Sequence, residues 1–122
     1  MSPLRLPAKG HKYRAVRTEV DGHVFPSKRE ARRYQELKLL EQAGEIHGLE
    51  LQPQLCLWAH PFPFREGLTP IPVGKYIADF RYVTSGGATV IEDVKTSATS
   101  TPVYRLKKKI VEAQYGIQIR EI

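Results

Sequence analysis

The chain has 122 residues and a mass of 13.9 kDa, which suffices for one hydrophobic core and not for two full ones. Hydrophobic residues make up 41% of it and charged residues 26%, which excludes a collagen-like or wholly disordered chain. No run approaches the ~20 apolar residues of a membrane span, and no apolar core of a secretory signal is present. A single cysteine, Cys56, and four scattered histidines exclude a disulfide scaffold or a zinc finger, so we expect a cytoplasmic protein.

The positive charge is concentrated near the N-terminus. The chain carries +6 in total, and residues 1–17 hold five basic side chains and no acid, so the other 105 residues carry only +1. A basic segment on a near-neutral body is typical of polyanion binding, because each phosphate contact releases counterions. A solubilising tail is the alternative, and charge alone does not decide between the two.

The first part of the chain predicts an arm, a hairpin and a helix. Residues 1–12 mix proline, glycine and basic residues, which is typical of a flexible arm preceding a single domain over 13–122. A small hairpin is predicted over 16–25, turning at Asp21-Gly22. Ser27 and Glu30 match a capping box, and Gly44 supplies the stop of the helix that follows. Its predicted buried stripe is Ala31, Tyr34, Leu37, Leu40 and Ala43.

The rest of the chain predicts strands and a second helix. Apolar runs predict strands at 49–58, 75–83 and 89–95, the first interrupted by Pro53 and the last two joined by a hairpin turn at 85–87. Thr101 and Pro102 are typical of a helix start, and Gly116 of its end, before a final strand over 117–122. The predicted buried stripe of this second helix is Val103, Leu106, Ile110 and Ala113. The element order α-β-β-β-α-β predicts an α/β fold with a mixed sheet flanked by helices.

Two acidic residues interrupt the apolar strands. Because strand residues alternate between faces, Asp93 and Lys95 share one face and Glu92 points to the other. Asp79 interrupts the preceding strand and comes near Asp93 if the two strands pair as a hairpin. A buried acid is costly unless a partner or a metal compensates it, and paired carboxylates favour Mg²⁺ or Mn²⁺.

Lys95 can then orient a metal-bound water and offset charge that develops on a phosphate. The alternative is structural, with Asp93 and Lys95 forming an ion pair at the strand end and Asp79 capping a turn. An Asp-x-Lys pattern alone leaves both interpretations open.

The motif resembles the signature of the PD-(D/E)xK nucleases. Asp79, followed by Asp93-Val94-Lys95 in a strand–turn–strand setting, carries that resemblance, and Ala78 replaces the proline of the family name. Further segments make the chain similar to a phage-encoded branch of this superfamily that is related to Holliday junction resolvases. They are Lys12-Tyr13-Arg14-Ala15, Ser27-Lys28-Arg29-Glu30-Ala31, Leu51-Gln52-Pro53, Tyr76-Ile77-Ala78-Asp79-Phe80, Glu92-Asp93-Val94-Lys95 and Tyr104-Arg105-Leu106-Lys107-Lys108-Lys109.

The resemblance implies a restriction-endonuclease-like core and a role for each motif residue. Asp79 and Asp93 would bind Mg²⁺ or Mn²⁺, the Val94 carbonyl would be a third ligand, and Lys95 would be the catalytic lysine. Family members often add a glutamate from the first helix, and Glu30 occupies that place. The capping box is the alternative explanation of Glu30.

The implied activity is metal-dependent hydrolysis of phosphodiester bonds in branched DNA, such as Holliday junctions, in the cytoplasm of a bacterial host. A homodimer follows from that activity, because symmetric cutting of a junction requires two active sites. Alternatives are a phage nuclease for linear, nicked or single-stranded DNA, and a non-catalytic DNA-binding protein on the same fold. The candidate DNA contacts are Lys9, Lys12, Arg14, Arg17, Arg29, Arg33, Tyr104, Lys107 and Lys108, and a solvated helix face is the alternative for the last three.

Overall fold

A computed structural model of the chain describes residues 16–63, 65–96 and 98–122. The chain divides into two compact units, the first described from Val16 to Glu45 and the second beginning at Ile46. The basic arm predicted over 1–12, together with Arg14, lies outside the described residues. Neither of the two described helices has the length and the apolar composition needed to cross a bilayer.

The first unit is a hairpin followed by a helix, as the sequence predicts. Strands β1 (Thr18–Val20) and β2 (His23–Phe25) pair antiparallel, and Asp21 and Gly22 at the turn both have positive φ angles, of 52° and 79°. Helix α1 (Lys28–Gln42) begins with a hydrogen bond of 3.1 Å from the Glu30 N–H to the Ser27 hydroxyl. The predicted serine cap is therefore confirmed.

Tyr34 joins the hairpin to the helix. Its hydroxyl donates to Asp21 Oδ2 at 3.1 Å, and its ring lies 5.1 Å from that of Phe25. Of the predicted stripe, Ala31, Tyr34 and Leu37 are buried. Leu40 and Ala43 are exposed, so the prediction was wrong for the last helical turn. A three-residue strand spans ~10 Å and a 15-residue helix ~22 Å, so the hairpin is too short to cover the whole of α1.

In its described residues, the second unit is a mixed α/β arrangement of six strands and one helix. They are β3 (Ile46–Leu51), β4 (Gln54–Ala59), β5 (Ile71–Ile77), β6 (Phe80–Thr84), β7 (Thr89–Asp93), α2 (Pro102–Tyr115) and β8 (Ile119–Glu121). Four strands form one sheet in the order β3-β6-β7-β8, in which only β7 and β8 are parallel. Strands β4 and β5 form a separate antiparallel ribbon. The predicted hairpin of the strands around residues 85–87 is confirmed by the pairing of β6 with β7.

Two predicted strands are each broken into two by a shared kink. The run 49–58 divides at Gln52-Pro53, where Gln52 has a φ of 51°, and the run 75–83 divides at Ala78-Asp79. The breaks face each other, because the Gln52 N–H donates to the Asp79 carbonyl at 3.0 Å and the Ala78 N–H donates to the Pro53 carbonyl at 3.1 Å. One long antiparallel pair therefore bends at this point and passes from the four-stranded sheet into the β4–β5 ribbon.

The buried face of helix α2 differs from the predicted one by about one residue, which is ~100° of rotation about the helix axis. Val103 and Leu106 are 63% and 59% exposed, whereas Val111 is fully buried in a core with Leu55, Leu57, Tyr76, Ala78, Ile91 and Ile119. Tyr104 and Ile110 pack against this core. The predicted stripe was wrong because it favoured aliphatic residues over a face that carries a tyrosine and two half-buried lysines, whose stems cover apolar surface.

Two valines on α2 test this orientation. We expect Val111→Ala to lower the free energy of unfolding by about 1–3 kcal/mol, because it removes buried methyl groups and leaves a cavity. Val103→Ala removes the same atoms from an exposed position and should change it by less than about 0.5 kcal/mol. Urea denaturation of both variants measures the difference. Equal losses would contradict the observed orientation.

Candidate active site

The kink brings Asp79 to the end of β7, beside Asp93. The Asp79 N–H donates to Asp93 Oδ1 at 3.1 Å and to the Glu92 carbonyl at the same distance. In return, the Val94 N–H donates to Asp79 Oδ2 at 2.7 Å. The main chain of each segment therefore binds the carboxylate of the other, and this exchange fixes both acids at one end of the sheet.

Asp93 is buried and held by hydrogen bonds on both oxygens. It is 1% exposed, and its Oδ2 accepts a hydrogen bond from the Tyr76 hydroxyl. Burial, with a smaller contribution from the Asp79 charge, raises the pKa of Asp93 to about 6, although Tyr76 and Lys95 oppose the rise. Asp79 is therefore close enough for its charge to affect Asp93.

Asp79 is half-buried and keeps one oxygen available. Burial raises its pKa, while the Val94 N–H and the Lys95 charge lower it. Its Oδ1 accepts no hydrogen bond from a described residue. Since every fully buried side-chain polar atom of the described residues has a partner, this oxygen retains access to solvent.

Lys95 follows β7 at the same end of the sheet. Its backbone N–H donates to the Ile122 carbonyl at 3.4 Å, and the Ile122 N–H donates to the Asp93 carbonyl at 2.9 Å, so the parallel pairing with β8 continues past the last strand residue. Its ammonium lies 4.3 Å from the centroid of the Tyr104 ring. The Lys95 charge lowers the pKa values of both Asp79 and Asp93, so all three predicted side chains share one electrostatic environment.

Glu92 lies on the opposite face of β7, as alternation predicts. It is fully buried, accepts a hydrogen bond from the Tyr82 hydroxyl, and lies 4.0 Å from the Arg120 guanidinium. These side-chain contacts lie on the face of β7 opposite to Asp93. The predicted division of Glu92 and Asp93 between the two faces is therefore confirmed.

Two other predicted ligands remain predictions. Glu30 belongs to the first unit, where its backbone N–H completes the Ser27 cap, and its side chain is buried. Val94 contributes its N–H to Asp79, and a role for its carbonyl in metal binding is not decided by this contact.

The candidate DNA contacts fall into three groups. Lys9, Lys12 and Arg14 lie outside the described residues. Arg17 and Arg29 are exposed, and Arg33 pairs with Glu36 at 3.0 Å. On α2, the Lys107 ammonium donates to the Lys75 carbonyl at 3.1 Å, the Lys108 ammonium lies 3.3 Å from Glu121 Oε2, and the Tyr104 hydroxyl donates to the same oxygen at 2.7 Å. These three α2 side chains therefore have partners within the protein.

Sequence reasoning missed Tyr76 and Glu121 as parts of the site. The signal for Tyr76 was available, because a phenol in an apolar run needs a hydrogen-bond partner once it is buried. Glu121 had no such signal, since its place opposite Asp93 depends on the parallel register of β7 and β8.

The donor set fits a hard divalent cation that retains water. Among the described residues no three histidine, cysteine, aspartate or glutamate side chains come together as a metal cage. Two carboxylates do come together, and one of their oxygens is open to solvent. Mg²⁺ is commonly bound by one or two carboxylates together with waters and substrate phosphates, so Asp79 and Asp93 are the residues that would hold it.

Comparison with known proteins gives one result. The sequence profile of a family described as "Protein of unknown function (DUF1064)" matches residues 10–121. The chain belongs to this family. No curated protein and no solved structure matches it. The DUF1064 match extends over both units and includes Asp79, Asp93 and Lys95.

The raised pKa of Asp93 predicts how stability depends on pH. Asp93 binds more protons in the folded state than in the unfolded state between pH 3.8 and about 6, so its contribution to the free energy of unfolding should fall as the pH rises through this range. We expect Asp93→Asn to remove much of that fall and, without metal, to be more stable than wild type at pH 7.5 by about 1–3 kcal/mol. Urea denaturation in EDTA at pH 4.5 and 7.5 measures both effects.

Glu50→Gln provides the control, because Glu50 is an exposed carboxylate on β3 that pairs with Arg81. In Glu50→Gln the free energy of unfolding should change between pH 4.5 and 7.5 as it does in wild type. An Asp93→Asn variant with the wild-type slope, or with lower stability at pH 7.5, would contradict the assigned burial of charge.

Proposed function

We propose that this protein is a metal-dependent DNA endonuclease that hydrolyses phosphodiester bonds at the Asp79–Asp93–Lys95 centre. The observation that carries the proposal is the reciprocal binding of Asp79 and Asp93, each held by the main chain of the other's segment, with Lys95 at the same strand end. A purely structural ion pair does not account for two converging carboxylates, since Lys95 forms no ion pair with either of them among the described residues.

Each residue has a separate role in this chemistry. Asp79 and Asp93 would hold Mg²⁺ or Mn²⁺, which would supply Lewis-acid activation of water and neutralisation of phosphate charge. The Lys95 ammonium offsets negative charge as it develops on the phosphate oxygens. Tyr76 keeps Asp93 in place through its hydroxyl. Burial raises the pKa of Tyr76, so its hydroxyl stays protonated and remains a donor.

The connectivity supports a restriction-endonuclease-like core. Without the β4–β5 ribbon, the elements follow the order α1-β3-β6-β7-α2-β8, in which three antiparallel strands are followed by a helix and a parallel strand. This is the α-β-β-β-α-β order that the family resemblance implies. The ribbon would be an extension of the first two core strands beyond their shared kink.

DNA is the proposed partner. The five basic side chains among residues 1–17, with no acid among them, would hold the phosphate backbone without reading bases. Branched DNA is the favoured substrate because of the family resemblance, and cutting a junction symmetrically would require a homodimer. The bacterial cytoplasm is the proposed setting.

Cleavage of a labelled four-way junction tests this proposal. Wild type should cut it with Mg²⁺, and Asp93→Asn should lower the rate by at least about 100-fold, because a neutral amide binds the cation poorly. Lys95→Ala should also lower the rate, while Glu50→Gln should cut as wild type does. Asp93→Asn should still bind the junction in Ca²⁺. Cleavage by Asp93→Asn at the wild-type rate would contradict the assigned centre.

Parallel reactions on a flap, a nicked duplex, a blunt duplex and a single strand separate the substrate alternatives. If the protein cuts the linear or single-stranded DNA faster than the junction, that DNA is the substrate and the junction is not. Binding of every substrate without cleavage, in either Mg²⁺ or Mn²⁺, would favour the non-catalytic DNA-binding protein.

A further inference from the structure

The position of the Lys95 ammonium needs an explanation. Lysine is long and flexible, and both Asp79 and Asp93 are near enough for its charge to lower their pKa values. Yet no ion pair within 4 Å joins Lys95 to either carboxylate in the described part of the chain. The ammonium lies instead over the face of the Tyr104 ring, 4.3 Å from its centroid. This is the geometry of a cation–π contact.

The Tyr104 ring is itself fixed at several points. Its backbone N–H donates to the Thr101 hydroxyl at 3.1 Å, as the N-cap bond of α2. Its hydroxyl donates to Glu121 Oε2 at 2.7 Å, and the same oxygen lies 3.3 Å from the Lys108 ammonium. The ring of Tyr76, whose hydroxyl binds Asp93, lies 6.1 Å from the Tyr104 ring. Tyr104 is therefore tied both to the strand that pairs with β7 and to a neighbour of Asp93.

The bonds that fix the ring persist at neutral pH. Burial raises the pKa of Tyr104, so its phenol stays protonated and continues to donate. The hydrogen bond from Tyr104 lowers the pKa of Glu121, so that residue stays a carboxylate and continues to accept. The register of the sheet places Glu121 directly opposite Asp93.

We propose that Tyr104, anchored through Glu121, is a positioning residue that holds the Lys95 ammonium beside the Asp79–Asp93 pair and keeps it from pairing directly with either carboxylate. A direct ion pair would occupy the oxygens that a divalent cation needs. The position of Lys95 follows from the contacts alone, and only its consequence for catalysis rests on the proposed function. Tyr104 then acts through Lys95 and is not a DNA contact.

The position is tested without any assay of activity. Lysines are converted to ¹³C-dimethyl-lysines, which remain cations, and the Lys95 resonance is assigned by its loss in Lys95→Arg. Because an aromatic face shields nearby nuclei, the wild-type Lys95 methyl signal should lie upfield of the other lysine signals. Tyr104→Leu should return it to their range, and Tyr104→Phe, which keeps the ring but loses the bond to Glu121, should give an intermediate shift.

Tyr115→Leu is the matched control, because Tyr115 lies on the same helix and donates to the Cys56 carbonyl at 2.8 Å. It should leave the Lys95 signal unchanged. A Lys95 signal within the range of the other lysines in wild type would overturn the proposal, even if Tyr104→Leu did not fold.

The catalytic consequence is tested by the kinetics of junction cleavage. Tyr104→Leu should lower kcat about 10- to 100-fold, since a small displacement of a catalytic group has this effect, with Kd for the junction in Ca²⁺ unchanged. Tyr104→Phe, which keeps the ring but loses the bond to Glu121, should give an intermediate kcat, and Tyr115→Leu should match wild type. A raised Kd with unchanged kcat would make Tyr104 a DNA contact and overturn the proposal. If wild type cuts no DNA, the proposed function fails. The chemical shift of the Lys95 methyl groups still shows whether the Lys95 ammonium lies over the Tyr104 ring.

Discussion

The exchange of hydrogen bonds between the Asp79 and Asp93 segments is the interaction on which the rest of the site depends. It exists because β5 and β6 do not continue as one strand, so the Asp79 N–H and carboxylate are free of a regular ladder and reach the end of β7. The opposing strand bends at Gln52-Pro53, and backbone hydrogen bonds to Ala78 and Asp79 join the two bends. This one backbone irregularity therefore brings the two carboxylates together at the end of β7.

The pairing of Asp79 with Asp93 is electrostatically unfavourable without a cation. Two neighbouring carboxylates are withdrawn from water, and burial raises the pKa of each. Hydrogen bonds from Tyr76 and two backbone N–H groups, together with the Lys95 charge, offset part of this cost. The solvent-accessible oxygen of Asp79 and the placement of Lys95 over Tyr104 leave the pair open to a further positive charge, which is the physical basis of the proposed metal site.

Local signals in the sequence were sufficient to predict most elements and the proximity of Asp79, Asp93 and Lys95. Turn and capping residues such as Asp21-Gly22, Ser27 and Thr101 have strong local preferences, and strand alternation separates Glu92 from Asp93 without tertiary information. The kink was missed because an apolar run does not reveal where a strand changes sheets. The rotation of α2 was missed because lysine stems bury apolar surface that composition counts as polar. The contact of Tyr104 with Glu121 could not be predicted from local signals, because it depends on the parallel pairing of β8 with β7.

Diffraction from a crystal soaked in Mn²⁺, measured at a wavelength where manganese scatters anomalously, shows whether Asp79 and Asp93 together bind a divalent cation. We expect an anomalous peak within bonding distance of carboxylate oxygens from both Asp79 and Asp93, with the Lys95 ammonium still on the Tyr104 ring. A crystal that binds Mn²⁺ only elsewhere, or that leaves the two carboxylates without an ion at millimolar Mn²⁺, would contradict the proposed metal site.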